Sequence, residues 1–129
     1  MIGQVNGMTK KRKGGNTEIL CRAIVKGMQE KKAHDILILD LRKISNAAAD
    51  FFVICSGNSD KQLEAIADSV SEEVFKELNE DPRHIEGMQN KEWVLMDYFD
   101  VVVHIFRKDR RTYFALEKLW GDAPAVEVQ

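Results

Sequence analysis

The sequence predicts an α/β layer fold: a single domain with a mixed five-stranded sheet packed with helices. Three observations lead there. Long segments place apolar residues at three- and four-residue steps; short runs are β-branched or aromatic and bounded by polar residues; and the order reads helix, strand, strand, helix, three strands, helix. The strand at 101–107 follows its predecessor through a turn and pairs with it directly, whereas the strand at 50–56 leaves through a helix. Antiparallel and parallel pairings are therefore both expected.

A chain of 129 residues buries one core without metal or disulfide staples. With 44% hydrophobic and 31% charged residues it has the balance of a soluble globular chain, and a net charge of -2 argues against coating nucleic acid through overall charge. Cys21 and Cys55 fall in different elements with no C-x-x-C pair, and no secretory apolar segment is seen, so free, buried thiols in a reducing, cytoplasmic compartment are expected. No apolar run reaches bilayer length.

Residues 1–16, MIGQVNGMTKKRKGGN, lack apolar periodicity and read as a flexible tail. The run Lys10-Lys11-Arg12-Lys13 in it is either a solvated leader or a contact for RNA phosphates. The domain proper spans 17–123, and 124–129 read as a flexible end. From Asn16 or Thr17, either of which can cap, Ile19, Leu20, Ala23, Ile24 and Met28 mark a helix to about Lys31. "DILILDL" (35–41) and "DFFVICS" (50–56) are strands whose near-continuous hydrophobicity places them centrally, in a sheet covered on both faces. "SDKQLEAIADSVSEEVFKELN" is a helix with a Ser59/Gln62 capping box. "RHIEG" is a short edge strand ended by Gly87, and a last helix is expected from Asp109 to Trp120, stopped by Gly121.

Between them lies "WVLMDYFDVVVHIF" (93–106), a hairpin carrying Trp93, Asp97, Asp100 and His104 among aliphatic residues. Side chains alternate faces along a strand, so the loop length decides which residues meet. An even loop puts Val94, Met96, Val101, Val103 and Ile105 on one apolar face and gathers Trp93, Leu95, Asp97, Asp100, Val102, His104 and Phe106 on the other. An odd loop buries Asp97 beside valines with no evident partner, which disfavours it. The polar face has two readings: an outer docking surface with Trp93 as anchor, where truncation costs about 2 kcal/mol or more, or a face covered by the last helix, with Trp93 as ordinary core.

Enzymatic readings are weaker. Asp97, Asp100 and His104 as metal ligands flank a turn and lack a third carboxylate in register. Ser56-Gly57-Asn58-Ser59 before a helix can cradle a phosphate, but it lacks the G-x-x-x-x-G-K-[ST] pattern and any D-x-D pair for magnesium. Cys55 paired with His84 or His104 rests on composition alone. His34 reads as a solvated loop residue. No cofactor motif stands out.

Over about residues 17–123 the chain resembles the ribosomal silencing factor family, also called Iojap-related. The resemblance runs through "DILILDL", "ADFFVICSGNSDKQLEAIADSV", "HIEG", "WVLMDYFDVVVHIF" and "RRTYFALEKLWGDA" in order. It implies a non-catalytic factor with a nucleotidyltransferase-like fold lacking the catalytic residues. Such a factor binds the large ribosomal subunit through its protein fourteen, blocks joining with the small subunit under nutrient limitation, and forms a homodimer when free. A role in large-subunit biogenesis is also implied. The resemblance places the docking surface on the hairpin, at Trp93, Asp97, Tyr98, Asp100 and His104, with Glu86, Arg111 and Tyr113 as secondary candidates. Gly87 reads as turn geometry, Tyr113 also as helix-to-sheet packing, and Glu117 and Trp120 as fasteners of the last helix. One departure matters: Phe99 stands where the family usually has glycine, so the turn either changes geometry or is strained, and the aim of Asp100 depends on it. The runner-up function is a divergent nucleotidyltransferase using the Ser56 to Ser59 turn.

Overall fold

The computed structural model describes residues 16–110 and 123–128. Apolar spacing becomes helix α1 (Asn16–Glu30) and helix α2 (Asp60–Leu78). The β-branched runs become β1 (His34–Asp40), β2 (Phe51–Gly57), β3 (His84–Glu86), β4 (Trp93–Asp97), β5 (Val101–Arg107) and β6 (Ala125–Val128). The strands form one sheet in the order β3-β4-β5-β2-β1-β6. β2 and β5, linked through α2, run parallel, and every other neighbouring pair is antiparallel. The expected α/β class and mixed sheet are therefore present, with β2 and β1 inside the sheet.

The sheet has six strands, not five. Residues 125–128, expected to form part of a flexible end, pair with β1 from Ile36↔Val128 to Leu39↔Ala125, and the Asp40 N–H donates to the Pro124 carbonyl at 2.9 Å. Without β6, β1 would present an open row of backbone groups at the sheet edge. Residues 108–110 are helical. The rest of the expected last helix, with Arg111, Tyr113, Glu117 and Trp120, lies outside the described residues, as do residues 1–15 with the Lys10 to Lys13 run.

Both helices lie on one face of the sheet. Leu20, Ile24 and Met28 of α1 and Leu63, Ile66 and Val70 of α2 pack with Val53, Cys55, Val103 and Ile105. Each such side chain, withdrawn fully from water, contributes roughly 1.5–3 kcal/mol. The helices cross closely at Gly27, where an added Cβ would come within 2.7 Å of the Val70 Cα, and the Ser69 Oγ donates to the Gly27 carbonyl at 2.8 Å. A second cluster covers the other face: Leu39, Leu41, Phe52, Ile54, Val102 and Phe106, with Trp93 and Leu95 partly buried against it. Two covered faces explain why β1 and β2 read as continuous apolar runs. Cys21 and Cys55 are buried and not joined by a disulfide.

The start of α2 follows the predicted capping box with one change. The Ser59 Oγ accepts from the Gln62 N–H at 3.1 Å, but the Gln62 Oε1 reaches past the cap to the Asn58 N–H at 2.6 Å. At the other end Asn79 takes a left-handed conformation and its N–H donates to the Phe75 carbonyl.

Candidate functional site

β4 and β5 pair as Trp93↔Phe106, Leu95↔His104 and Asp97↔Val102, and the Tyr98 N–H donates to the Val101 carbonyl at 2.9 Å. The loop is thus two residues, Phe99 and Asp100, the even length that alternation favoured. Val94, Met96, Val101, Val103 and Ile105 are all 0% exposed beneath the helices.

The opposite face differs from a simple outer surface. Val102, His104 and Phe106 are buried, while Trp93, Leu95 and Asp97 are partly exposed. The Trp93 Nε1 donates to the His104 Nδ1 at 3.0 Å. The imidazole meets Phe52 edge-on at 4.4 Å between centroids, and the indole stacks on Phe106 at 5.2 Å. Burial lowers the His104 pKa from 6.5 to about 4, so the ring is neutral at neutral pH. An indole N–H only donates, which makes Nδ1 the acceptor and places the imidazole proton on Nε2.

Phe99 resolves the question of the turn. Its φ is +81°, so the glycine-type geometry is kept and a phenylalanine bears it. The Asp100 N–H donates to the Tyr98 carbonyl at 3.1 Å across Phe99, a three-residue turn of the strained, positive-φ kind. Three contacts hold it: the Phe99 N–H donates to the Asp97 Oδ1 at 2.7 Å, the Arg83 Nε donates to the Asp97 Oδ2 at 3.1 Å, and the Arg83 guanidinium stacks over the Phe99 ring at 4.8 Å. Neither Arg83 nor its link to Phe99 was foreseen, because nothing local connects a residue beyond Pro82 to a turn sixteen positions on.

The remaining candidates disperse. Asp100 leaves the Trp93 face: it is 3% exposed and accepts from the Thr17 Oγ1 at 2.9 Å, at the amino end of α1 where the helix dipole favours an anion. Tyr98 is 2% exposed and belongs to the helix-side core. Glu86 is exposed on the β3 edge, 2.6 Å from the His84 Nε2. Gly87, at φ +89°, lies so close to β4 that an added Cβ would overlap the Trp93 carbonyl, which agrees with its reading as turn geometry. What the structure brings together is therefore Trp93 on His104; Asp97, at the other end of β4, is paired with Arg83 beside Phe99, and Glu86 lies on β3 opposite Leu95.

The catalytic alternatives meet geometric obstacles. Asp97 and Asp100 have separate partners, and among the described residues no group of three or more His, Cys, Asp or Glu is placed to hold a metal ion. In the Ser56 to Ser59 turn, Ser56 and Gly57 close strand β2, while the Asn58 N–H and the Ser59 Oγ engage Gln62, whose amide in turn reaches the Lys31 and Lys32 carbonyls. Cys55 belongs to the helix-side core, and its β5 partner in register is Ile105, one residue beyond His104, whose side chain takes the other face. His34, expected in a loop, begins β1 with its Nε2 3.1 Å from the Asn58 amide. No described helix is long and apolar enough to cross a membrane.

Fold and site together define an α/β protein with a mixed six-stranded sheet whose β4–β5 hairpin carries a tryptophan buttressed by a buried histidine. Residues 15–129 match the family described as ribosomal silencing factor during starvation. The chain is 47% identical over 114 residues to the ribosomal silencing factor RsfS of Halalkalibacterium halodurans, covering 88% of this chain and 95% of that one, and 44% identical to the Bacillus subtilis RsfS, covering 88% and 94%. It is 30% identical to the chloroplastic protein Iojap of Zea mays over 82% of this chain and 45% of the maize protein. Crystal structures of proteins from Chromobacterium violaceum and Bacillus halodurans superpose with TM-scores of 0.75 and 0.73 at 33% and 41% identity, covering 81% and 86% of this chain and 85% and 99% of theirs. The chain belongs to the ribosomal silencing factor family.

Proposed function

We propose that this protein binds the large ribosomal subunit through ribosomal protein fourteen and, by its bulk, keeps the small subunit from joining, repressing translation when nutrients are scarce. Family membership supports a ribosomal partner and a regulatory, non-enzymatic role in the cytoplasm. The observation that carries the docking assignment is the partly exposed Trp93 fixed on His104: a large aromatic on the hairpin with its polar atom satisfied from within. Asp97 and Glu86 border it, so basic residues of the partner are the complementary chemistry. Glu86, with its side chain 63% exposed, supplies most of the long-range attraction, because Asp97 is already paired with Arg83. Arg111 and Tyr113 are carried as secondary candidates for partner contact on the family resemblance alone. The free form is a homodimer, the Lys10 to Lys13 run adds contact with ribosomal RNA phosphates, and the same attachment serves large-subunit biogenesis.

Sucrose-gradient sedimentation with isolated subunits tests this reading. The protein should travel with the large subunit and not the small one, and Trp93→Ala should stay at the top of the gradient while keeping its fold by circular dichroism. A Trp93→Ala variant that still travels with the large subunit would show that the site lies elsewhere.

A further inference from the structure

We propose that His104 is a positioning residue: it holds the Trp93 indole in the orientation that engages the large ribosomal subunit, and so governs binding without touching the partner. This rests on the docking role given to Trp93 above.

His104 is 3% exposed, so it has no surface to offer a partner. What it offers is Nδ1, the acceptor 3.0 Å from the indole N–H. The imidazole is itself fixed, edge-on to Phe52 at 4.4 Å and nearly parallel to Phe106 at 6.3 Å, so the acceptor has one place to be. In register, His104 stands opposite Leu95 on β4 and beside Ile54 on β2, neither of which offers another polar atom from its side chain.

The second nitrogen shows what the arrangement costs. Among the described residues the His104 Nε2 has no hydrogen-bond partner, and a buried donor left unsatisfied is unfavourable. A leucine or phenylalanine would fill the space between Phe52 and Phe106 without that cost. The histidine gains one thing from being there, the bond to Trp93. Without that acceptor the indole N–H loses its 3.0 Å partner, and with it the bond that fixes the ring's orientation. Fixing the ring beforehand removes an ordering cost from binding. Burial keeps the imidazole neutral and therefore able to accept.

The test uses the full chain, uniformly labelled with 15N, and two substitutions. His104→Phe keeps ring volume and removes the acceptor; His104→Asn returns an acceptor oxygen near the place of Nδ1. The Trp93 indole N–H resonance, assigned with Trp93→Phe, should move and exchange faster with water in His104→Phe, and affinity for the large subunit should fall about tenfold. His104→Asn should restore the resonance and most of the affinity. If His104→Phe does not fold, His104→Gln takes its place, because its acceptor extends toward the Nε2 position and misses the indole. An unchanged indole resonance without the acceptor overturns the proposal, and so does a shifted resonance with unchanged affinity. Trp93→Ala in the same binding assay separates the two readings. Wild-type binding by Trp93→Ala refutes the docking surface itself, whereas loss in Trp93→Ala with none in His104→Phe refutes only the positioning role.

Discussion

The two faces of the β4–β5 hairpin come from alternate residues of the same strands, yet they are stabilised in different ways. Beneath the helices, Val94, Met96, Val103 and Ile105 are sealed by apolar contact alone. On the other face an imidazole is buried among aromatics and held by one indole N–H, with its second nitrogen left over. The first face depends on volume, the second on protonation state and orientation. On the docking role proposed above, the face that accepts a buried, partly unsatisfied polar group is the one with a task besides folding.

The largest expected effect lies on the first face. Ile105→Ala should lose about 4 kcal/mol in urea denaturation, the usual cost of emptying a large buried site, at any pH near neutrality. The second face should respond to acid. The native His104 binds its proton only near pH 4, whereas the unfolded chain binds it near 6.5, so the unfolded state carries the extra proton between those values. Stability is then fully present well above pH 6.5 and falls as the pH drops, with about 3 kcal/mol lost by pH 4 and little further loss from this group below it. Parallel denaturation curves of wild type and His104→Phe should show that part of the acid loss only in wild type.

Smaller effects belong to the turn that joins the faces. Thr17→Val removes the hydroxyl that donates to Asp100 and should cost about 1 kcal/mol, measured as a lower urea midpoint with an unchanged slope. Phe99→Gly should move stability least, within about 1 kcal/mol. Relief of the positive φ is offset by losing the ring beneath Arg83 and by the greater freedom of glycine in the unfolded chain.

Much of this was legible in the sequence, and the failures share a cause. Periodicity located both described helices within a residue or two, and alternation on β4 and β5 favoured the even loop that the structure shows. These are local signals, and they point to the same fold as the tertiary contacts. Strand β6 was missed because four residues after a proline carry too little pattern, and its pairing with β1 depends on an edge seen only in three dimensions. Asp100 was misplaced because its partner, Thr17, is 83 positions away. Trp93 and His104 were correctly put on one face, but their hydrogen bond and the burial of His104 depend on Phe52 and Phe106 closing around the ring.

The central claim is that the Trp93 face docks on the large subunit and thereby prevents joining. Light scattering follows joining directly when small subunits are added to large subunits already incubated with the protein. Wild type should suppress the rise in scattering in proportion to its concentration, and Trp93→Ala should let joining proceed as in buffer. Equal suppression by both proteins, or none by wild type, would contradict the claim.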